Sequence, residues 1–294
     1  MKCINCRSTK TVKNGFDNKG VQRFKCNGCG RRFCEKGFFA RFRNPIRVII
    51  TAVRWKMKRM SLREISDEVA DVFRIIVSHV TIWNWCMKFI SLLVLWASLI
   101  DDDYKKIIHV DEKFIKVRGS KDKFAYLFVA IDSGHKVIAT FVADSRTIKS
   151  AKVLMKKVGE KIIPEIIVTD KCQIYNKSCK VFGRKTKHVK AHFKAEGIVY
   201  NGKIFLLSNN RVERFNSDID LFLHVFRGLK SFETAELWIQ GLAIYHNYLK
   251  PSKINWHRIP KMITSQRQVI PQIIFWIYLS PFKLTEARIL QFRK

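Results

Sequence analysis

Four cysteines near the N-terminus have the spacing of a metal site. Cys3 and Cys6 form one CxxC pair and Cys26 and Cys29 a second, with 19 residues between the pairs. Two thiolates from each pair can complete a tetrahedral shell, the usual ligand set of a structural Zn²⁺. Gly28 and Gly30 give the second pair a permissive backbone that lets amides approach sulfur, while Gly15, Gly20 and the stretch 21–24 read as turns and a short strand. A segment of about 35 residues with so few apolar groups needs the metal to fold. Cys34 is a spare thiol beside a site that four ligands already close. Cys86, Cys172 and Cys179 lack ligand spacing and read as core or free thiols.

The second chemical set is acidic. β-branched and aromatic runs predict strands over 107–117, 124–131 and 137–142, a helix from Thr147 to about Lys161, and a strand over 165–169. The stretches 119–123 and 133–135 read as turns. Asp111 falls within the first of these strands, Asp170 closes the last, and Glu213 lies in a helical stretch, 209–216. The order β-β-β-α-β-α predicts a mixed α/β sheet with helical layers and resembles the RNase H-like fold. In such a sheet the strands of Asp111 and Asp170 are neighbours, and the helix can lay Glu213 over the same spot. Three convergent carboxylates can hold two Mg²⁺ or Mn²⁺ ions roughly 4 Å apart. Period-two alternation turns Glu112 to the opposite face, outside this set. Asp132 is a reserve candidate as a support or turn residue, and Asp101 to Asp103 read as a solvated linker.

A helix must start at Ser61, an N-cap with Glu64 three residues on, and Leu62, Ile65, Val69 and Val72 continue it at helical spacing. A second begins near Ser78 or Thr81 with Ile82, Trp85, Cys86 and Phe89 on one face. The pair reads as a helix-turn-helix whose second helix enters the major groove, with His79, Thr81, Asn84 and Lys88 as base or phosphate contacts.

Charge supports a polyanionic partner. Lysine and arginine number 56 against 24 acids among 294 residues, a formal +32 spread along the whole chain. The apolar runs 89–100 and 269–282 are shorter than the ~20 residues of a spanning helix, so no membrane partner is expected. With no apolar signal region after Met1, an intracellular, reducing setting is expected, where clustered thiols bind metal.

The stretches 109–112, 130–132, 168–170 with Tyr175, 209–216, 226–231 and 245–251 together resemble the DDE transposases of insertion sequences, in the branch that carries an N-terminal zinc ribbon. The resemblance spans roughly residues 1–250. It implies a zinc ribbon over 1–38, a helix-turn-helix domain over 45–100, an RNase H-like core over 105–250 and a divergent tail over 251–294. It makes Asp111, Asp170 and Glu213 the catalytic, Mg²⁺- or Mn²⁺-binding triad, beside a structural Zn²⁺ on Cys3, Cys6, Cys26 and Cys29. The implied partner is double-stranded DNA, both element ends and target, held by a homo-oligomer of at least two chains in the cytoplasm, on the nucleoid. Arg211 and Arg214, with Lys113, Lys116, Arg118, Lys171 and Arg227, are the expected backbone contacts. Asp218 and Asp220 stand where relatives are basic and are expected to repel DNA, and Lys171 follows Asp170 where many relatives have glycine. The same residues allow two other readings: a catalytically inactive sequence-specific DNA-binding protein derived from a transposase, and an RNase H-like nuclease.

Overall fold

A computed structural model describes residues 3, 6, 8–16, 22–34, 43–98, 102–118, 124–191, 196–200, 202–207, 210–226 and 229–250. The expected turns at 119–123, Gly20 and Val21, Asp101, Asn209, Arg227 and the whole expected tail 251–294 lie outside them. The chain divides into two compact units, Met1–Ile49 and Ile50–Lys294.

The first unit is built on β1 (Thr11–Phe16), β2 (Gln22–Cys26) and β3 (Arg32–Cys34), an antiparallel sheet in the order β1-β2-β3. Its small core is Cys3, Cys26 and Phe33, with Phe24 stacked on Phe33 at 5.8 Å between centroids. So little apolar area is buried that the cysteines must contribute to its cohesion. Gly15 is not a turn residue: it lies inside β1 at φ +66°, where the pairing to β2 slips between Lys13 and Phe16. Only glycine adopts that conformation without strain.

Helix α1 (Ile46–Met57) spans the division between the units, and α2 (Leu62–Phe73) and α3 (His79–Ala97) follow in the second. The Ser61 cap is present in both directions: the Glu64 amide donates to Ser61 Oγ at 3.2 Å, and the Ser61 amide donates to Glu64 Oε2 at 2.7 Å. Helix α2 ends at Arg74, which adopts φ +56° and donates its amide to the Ala70 carbonyl. Ile82, Trp85, Cys86 and Phe89 are buried along one face of α3, as their spacing requires.

The second unit's sheet holds β4 (Ile107–Lys116), β5 (Phe124–Asp132), β6 (Val137–Ala143), β7 (Ile166–Thr169) and β8 (Lys187–Lys190) in the order β6-β5-β4-β7-β8. The β4-β5 and β5-β6 pairs are antiparallel, whereas β7 runs parallel to both β4 and β8. Helices α4 (Ile148–Gly159) and α5 (Gln173–Ser178) cover one face, packing Ala151, Leu154, Met155 and Tyr175 against Ile108, Val110 and Phe128. A hairpin of β9 (Glu196–Tyr200) and β10 (Lys203–Leu207) precedes α6 (Asn210–Leu223), and α7 (Phe232–Ile244) passes into a π-helical turn, Tyr245–Leu249. Among the described residues no helix is long and apolar enough to cross a membrane.

The edge strand β6 is closed by side chains from this last segment. Asn247 accepts from the Val137 amide at 2.8 Å and donates to its carbonyl at 2.9 Å, and Glu236 accepts from the Val142 amide at 2.8 Å. Unpaired edge groups are thereby satisfied and shielded. Asp102 is no solvated linker residue: it takes hydrogen bonds from Lys136 at 2.6 Å and from the Tyr248 hydroxyl, and so ties the chain ahead of β4 to the π-helical turn.

Helices α3 and α7 meet at Gly241, where an added Cβ would stand 2.7 Å from Ile90 Cγ2. Ile90 is fully buried and stiff at its branched carbon, so it cannot step aside. Gly241→Ala is therefore expected to lower stability by roughly 1–2 kcal/mol despite the better helix propensity of alanine. Thermal unfolding of the full chain measures this, and an unchanged or raised midpoint contradicts the close approach.

Candidate functional site

The site begins with strand register. His109 pairs with Val168 across the parallel β4-β7 ladder, so two residues further along each chain Asp111 and Asp170 come level. Asp170 follows the last residue of β7, and its Oδ1 accepts from the Cys172 amide at 2.9 Å.

Helix α6, which carries Glu213, runs alongside β4 in the same direction. Arg211 Nη1 donates to His109 Nε2 at 3.1 Å, Asn216 Nδ2 donates to Asp111 Oδ2 at 2.9 Å, and Lys113 Nζ donates to Asp220 Oδ2 at 2.6 Å. From Arg211 to Asp220 the helix rises about 13.5 Å, and from His109 to Lys113 the strand extends about 13 Å. The two rises match, so each contact reinforces the next. Glu213 lies between Arg211 and Asn216 on this helix and adds its charge to the electrostatics of Asp111.

Burial pushes the Asp111 carboxyl up to about 7, and the charges of Glu112, Asp170 and Glu213 push in the same direction. Burial, followed by the charges of Arg211 and His135, lowers His109 to about 4, which keeps its ring neutral. Since a guanidinium can only donate, Nε2 of His109 carries the lone pair and the ring orients Arg211. His109, Asn216 and Tyr175 had no individual role in the sequence reading. Their partners lie 63 to 105 residues away, and no local pattern could reveal them.

Glu112 requires a correction. Alternation does place it with Ile108 and Val110 on the α4/α5 face, away from α6, yet this does not take it away from the acids. One oxygen of Glu112, one of Asp170 and the Cys172 sulfur all lie within 4.8 Å of one another. Asp170 stands past the end of β7, where it can be approached from either face of the sheet. The Glu112 side chain is only 4% exposed and is held by Arg146, whose Nε donates at 2.6 Å, and by the Tyr175 hydroxyl. Burial and the neighbouring Glu112 raise the Tyr175 hydroxyl well above its usual range, so it stays a donor.

Asp218 and Asp220, expected to repel DNA, each have cationic partners within the second unit. Asp218 is engaged by Arg59 at 2.7 Å, Lys250 at 2.6 Å and His246 at 3.7 Å, and Asp220 by Lys113. Asp218 is partly buried among its partners, whereas the Asp220 side chain is 62% exposed and pairs with Lys113 at the surface. Lys113 is accordingly engaged by Asp220, whereas Lys116, Arg118, Lys171 and Arg214 are exposed. Asp132 is a structural turn residue: it is buried, and its two oxygens accept from the Lys105 and Lys136 amides at 2.8 Å each.

In the N-terminal unit the sulfurs of Cys3, Cys6, Cys26 and Cys29 lie within 4.8 Å of one another, and the Gly28 amide points at Cys26 Sγ from 3.3 Å. On α3, His79, Asn84 and Lys88 are exposed and Thr81 is half-buried, its amide bonded to Ser78 Oγ.

A family model described as a DDE domain, of the IS240 transposase type, matches residues 105–252. No curated protein sequence matches the chain. Solved structures that it resembles include the catalytic core domain of BIV integrase, at 16% identity over 50% of this chain and 86% of that one, with a TM-score of 0.35. A second is a simian T-cell lymphotropic virus intasome in complex with the PP2A regulatory subunit B56 gamma, at 17% identity over 58% of each chain, TM-score 0.37. A third is the HTLV-2 integrase catalytic core domain in complex with magnesium, at 15% identity over 50% and 88%, TM-score 0.34.

The His246 and Lys250 contacts hold the Asp218 carboxyl down at about 2 against the opposing effect of burial. A carboxyl depressed below its unfolded value of about 3.9 stabilises the fold above that pH and loses its contribution as pH falls towards 2. Asp218→Asn is therefore expected to lower the unfolding midpoint at pH 7, and the gap to wild type is expected to close between about pH 4 and 2. A gap that stays constant across that window excludes the ion cluster as its cause.

Proposed function

Because the chain belongs to the insertion-sequence DDE transposases, enzymes that cut and join DNA with divalent metal, we propose that Asp111, Asp170 and Glu213 are its catalytic carboxylates. The observation that carries this reading is the β4-β7 register that brings Asp111 level with Asp170, with the helix of Glu213 held along β4 by Asn216; burial and the charges of Glu112, Asp170 and Glu213 disfavour the charged form of Asp111 there. A cation would relieve that crowding. The donor set suits a hard ion, being carboxylate oxygen with the Asn216 Oδ1 close by, a buried atom with no hydrogen-bond partner among the described residues. Mg²⁺ or Mn²⁺ held there would activate a water or hydroxyl nucleophile and offset charge on the leaving oxygen.

The chain's own groups do the rest. Asn216 fixes the rotamer of Asp111, and neutral His109 fixes Arg211 beside it. Exposed Arg214 and Lys171 are suited to neutralise the phosphates on either side of the scissile bond. The reaction is hydrolysis at an element end, in which a water oxygen bonds to phosphorus as the 3′ oxygen leaves. The freed 3′ hydroxyl then attacks a target phosphodiester, so one P–O bond forms as another breaks. Neither step requires a covalent bond to protein.

On the same reading, Cys3, Cys6, Cys26 and Cys29 hold a structural Zn²⁺, and α2 and α3 act as the helix-turn-helix, offering His79, Thr81, Asn84 and Lys88 to DNA. Two element ends must be held together, which calls for at least a dimer on the DNA of the host cytoplasm. The working parts are then a ribbon over about 1–38, a helical DNA-binding segment over 45–100 and a catalytic core over 105–250.

Joining of duplexes that carry the element's own terminal repeats, in Mn²⁺, tests the triad. Asp111→Asn, Asp170→Asn and Glu213→Gln are each expected to lose more than about a hundredfold, beyond the 10- to 100-fold typical of outer-shell changes, with Glu112→Gln in that smaller range. If Glu112→Gln is as inactive as the others while Asp111→Asn is not, the first acid has been misassigned. Specific binding by wild type without any cutting would instead favour an inactive DNA-binding descendant. For the ribbon, metal analysis is expected to find one zinc per chain, and Cys26→Ala is expected to lose it and expose the first unit to protease. Full zinc content in that variant refutes the site.

A further inference from the structure

The face of β4 that carries Glu112 continues outward through Phe114 and Lys116. Cross-strand register sets Phe128 opposite Glu112, Tyr126 opposite Phe114 and Phe124 opposite Lys116. Phe128 is fully buried and Tyr126 packs against the core under α4, but Phe114 is 59% exposed and Phe124 42% exposed. The aromatic row therefore starts in the core and runs out into solvent. Its rings brace one another: Phe114 and Tyr126 lie 4.9 Å apart at a tilt of 49°, and Phe114 meets Phe124 edge-on at 6.4 Å and 83°.

Two large rings on neighbouring strands that are this open to water leave much of their apolar surface unused by the fold. Their surroundings indicate an occupant. Phe114 is two residues from Glu112, about 6.6 Å along the strand, and Glu112 sits against Asp170. The adjacent charges are cationic and exposed, Lys116 directly across from Phe124 and Arg118 just beyond. A flat aromatic face with cations beside it is the arrangement that stacks bases while its charges hold the backbone.

We propose that Phe114, braced by Tyr126 and Phe124, is a stacking platform for an unpaired nucleobase of the DNA strand whose phosphate lies at the acids, with Lys116 and Arg118 holding the adjoining backbone. The proposal rests on the reading of Asp111, Asp170 and Glu213 as the reaction centre. Bending a strand into that centre unpairs the bases beside the scissile bond, and the platform replaces the stacking they lose. It reads no sequence, since every base presents a flat face.

The test uses the full chain in Ca²⁺ and two probes of one sequence: a blunt duplex, and a duplex with a short unpaired 3′ overhang carrying 2-aminopurine. Wild type is expected to quench the fluorophore and to bind the overhang about tenfold more tightly than the blunt duplex. Phe114→Ala is expected to erase both the quenching and the preference, and Phe114→Trp to restore them. An abasic site in place of the fluorophore should make wild type and Phe114→Ala bind alike. If Phe114→Ala and Phe124→Ala keep the quenching and the preference, the platform does not exist. If Phe114→Ala instead turns a DNA-free dimer into a monomer in sedimentation while quenching persists, the rings belong to a contact between copies and the proposal falls. A wild type that quenches the probe but never cuts DNA in Mn²⁺ would sink the catalytic reading while supporting the platform, so the two failures are distinguishable.

Discussion

The match between the rise of α6 and the extension of β4 is the constraint on which the site depends. A helix needs about four and a half residues to advance as far as two residues of strand, and contacts at 211, 216 and 220 on α6 meet 109, 111 and 113 on β4 in that ratio. A change in the axial position of α6 breaks all three contacts together. Glu213 thus lies on a helix whose place along β4 is set by polar contacts before and after it, while Val212, Phe215, Ile219 and Phe222 bury the helix's apolar stripe. The sheet contributes the other coordinate, since parallel pairing of β4 with β7 fixes Asp170 level with Asp111.

Electrostatics explain why a chain of net charge +32 can keep several acids close together. The acids fall into two groups with different partners. Asp102, Asp218, Asp220 and Glu236 are each matched by a lysine or arginine within 2.6–2.7 Å and serve to fasten elements together. Asp111 is half-buried with other acids nearby and has an amide, not a cation, as its side-chain hydrogen-bond donor. Glu112 stands between the groups, being tied to Arg146 and Tyr175 yet close to Asp170. A carboxylate partly withdrawn from water without a cationic partner costs more than a paired one, and among these acids Asp111 is the one so placed.

Much of this was legible in the sequence where the signal is local. Paired CxxC spacing gave the thiol cluster, Ser61 with Glu64 gave the start of α2, and runs such as 107–111 and 165–169 gave strands that the structure pairs. Signals that depend on distant partners were not legible. Asp218 and Asp220 looked like misplaced charge because Arg59, Lys250 and Lys113 cannot be recognised as their partners from helix periodicity. Alternation correctly put Glu112 on the far face of β4, but it could not show that Asp170, beyond its strand end, is open to that face. Gly15 read as a turn because a glycine in a bulge and a glycine in a turn use the same positive φ.

The same ion contacts tie the helical segment ahead of the sheet to α6, the helix that bears Glu213. Arg59, at φ +75° just after α1, reaches Asp218, which lies five residues beyond Glu213 on α6. Lys56, buried near the end of α1, donates to the Met60 carbonyl at 3.1 Å and lies 4.1 Å from the centre of the Phe226 ring beyond α6. Burial lowers this lysine to about 8, so its charge is kept at a cost that the carbonyl and the ring must offset. An apolar residue of that length would pack there without such a cost, but it would fix neither the turn at Met60 nor the distance to Phe226. Holding that turn holds Arg59, and through Asp218 the position of α6 along β4. The position of α6 is thus fixed from both sides, by β4 on the sheet and by the end of α1.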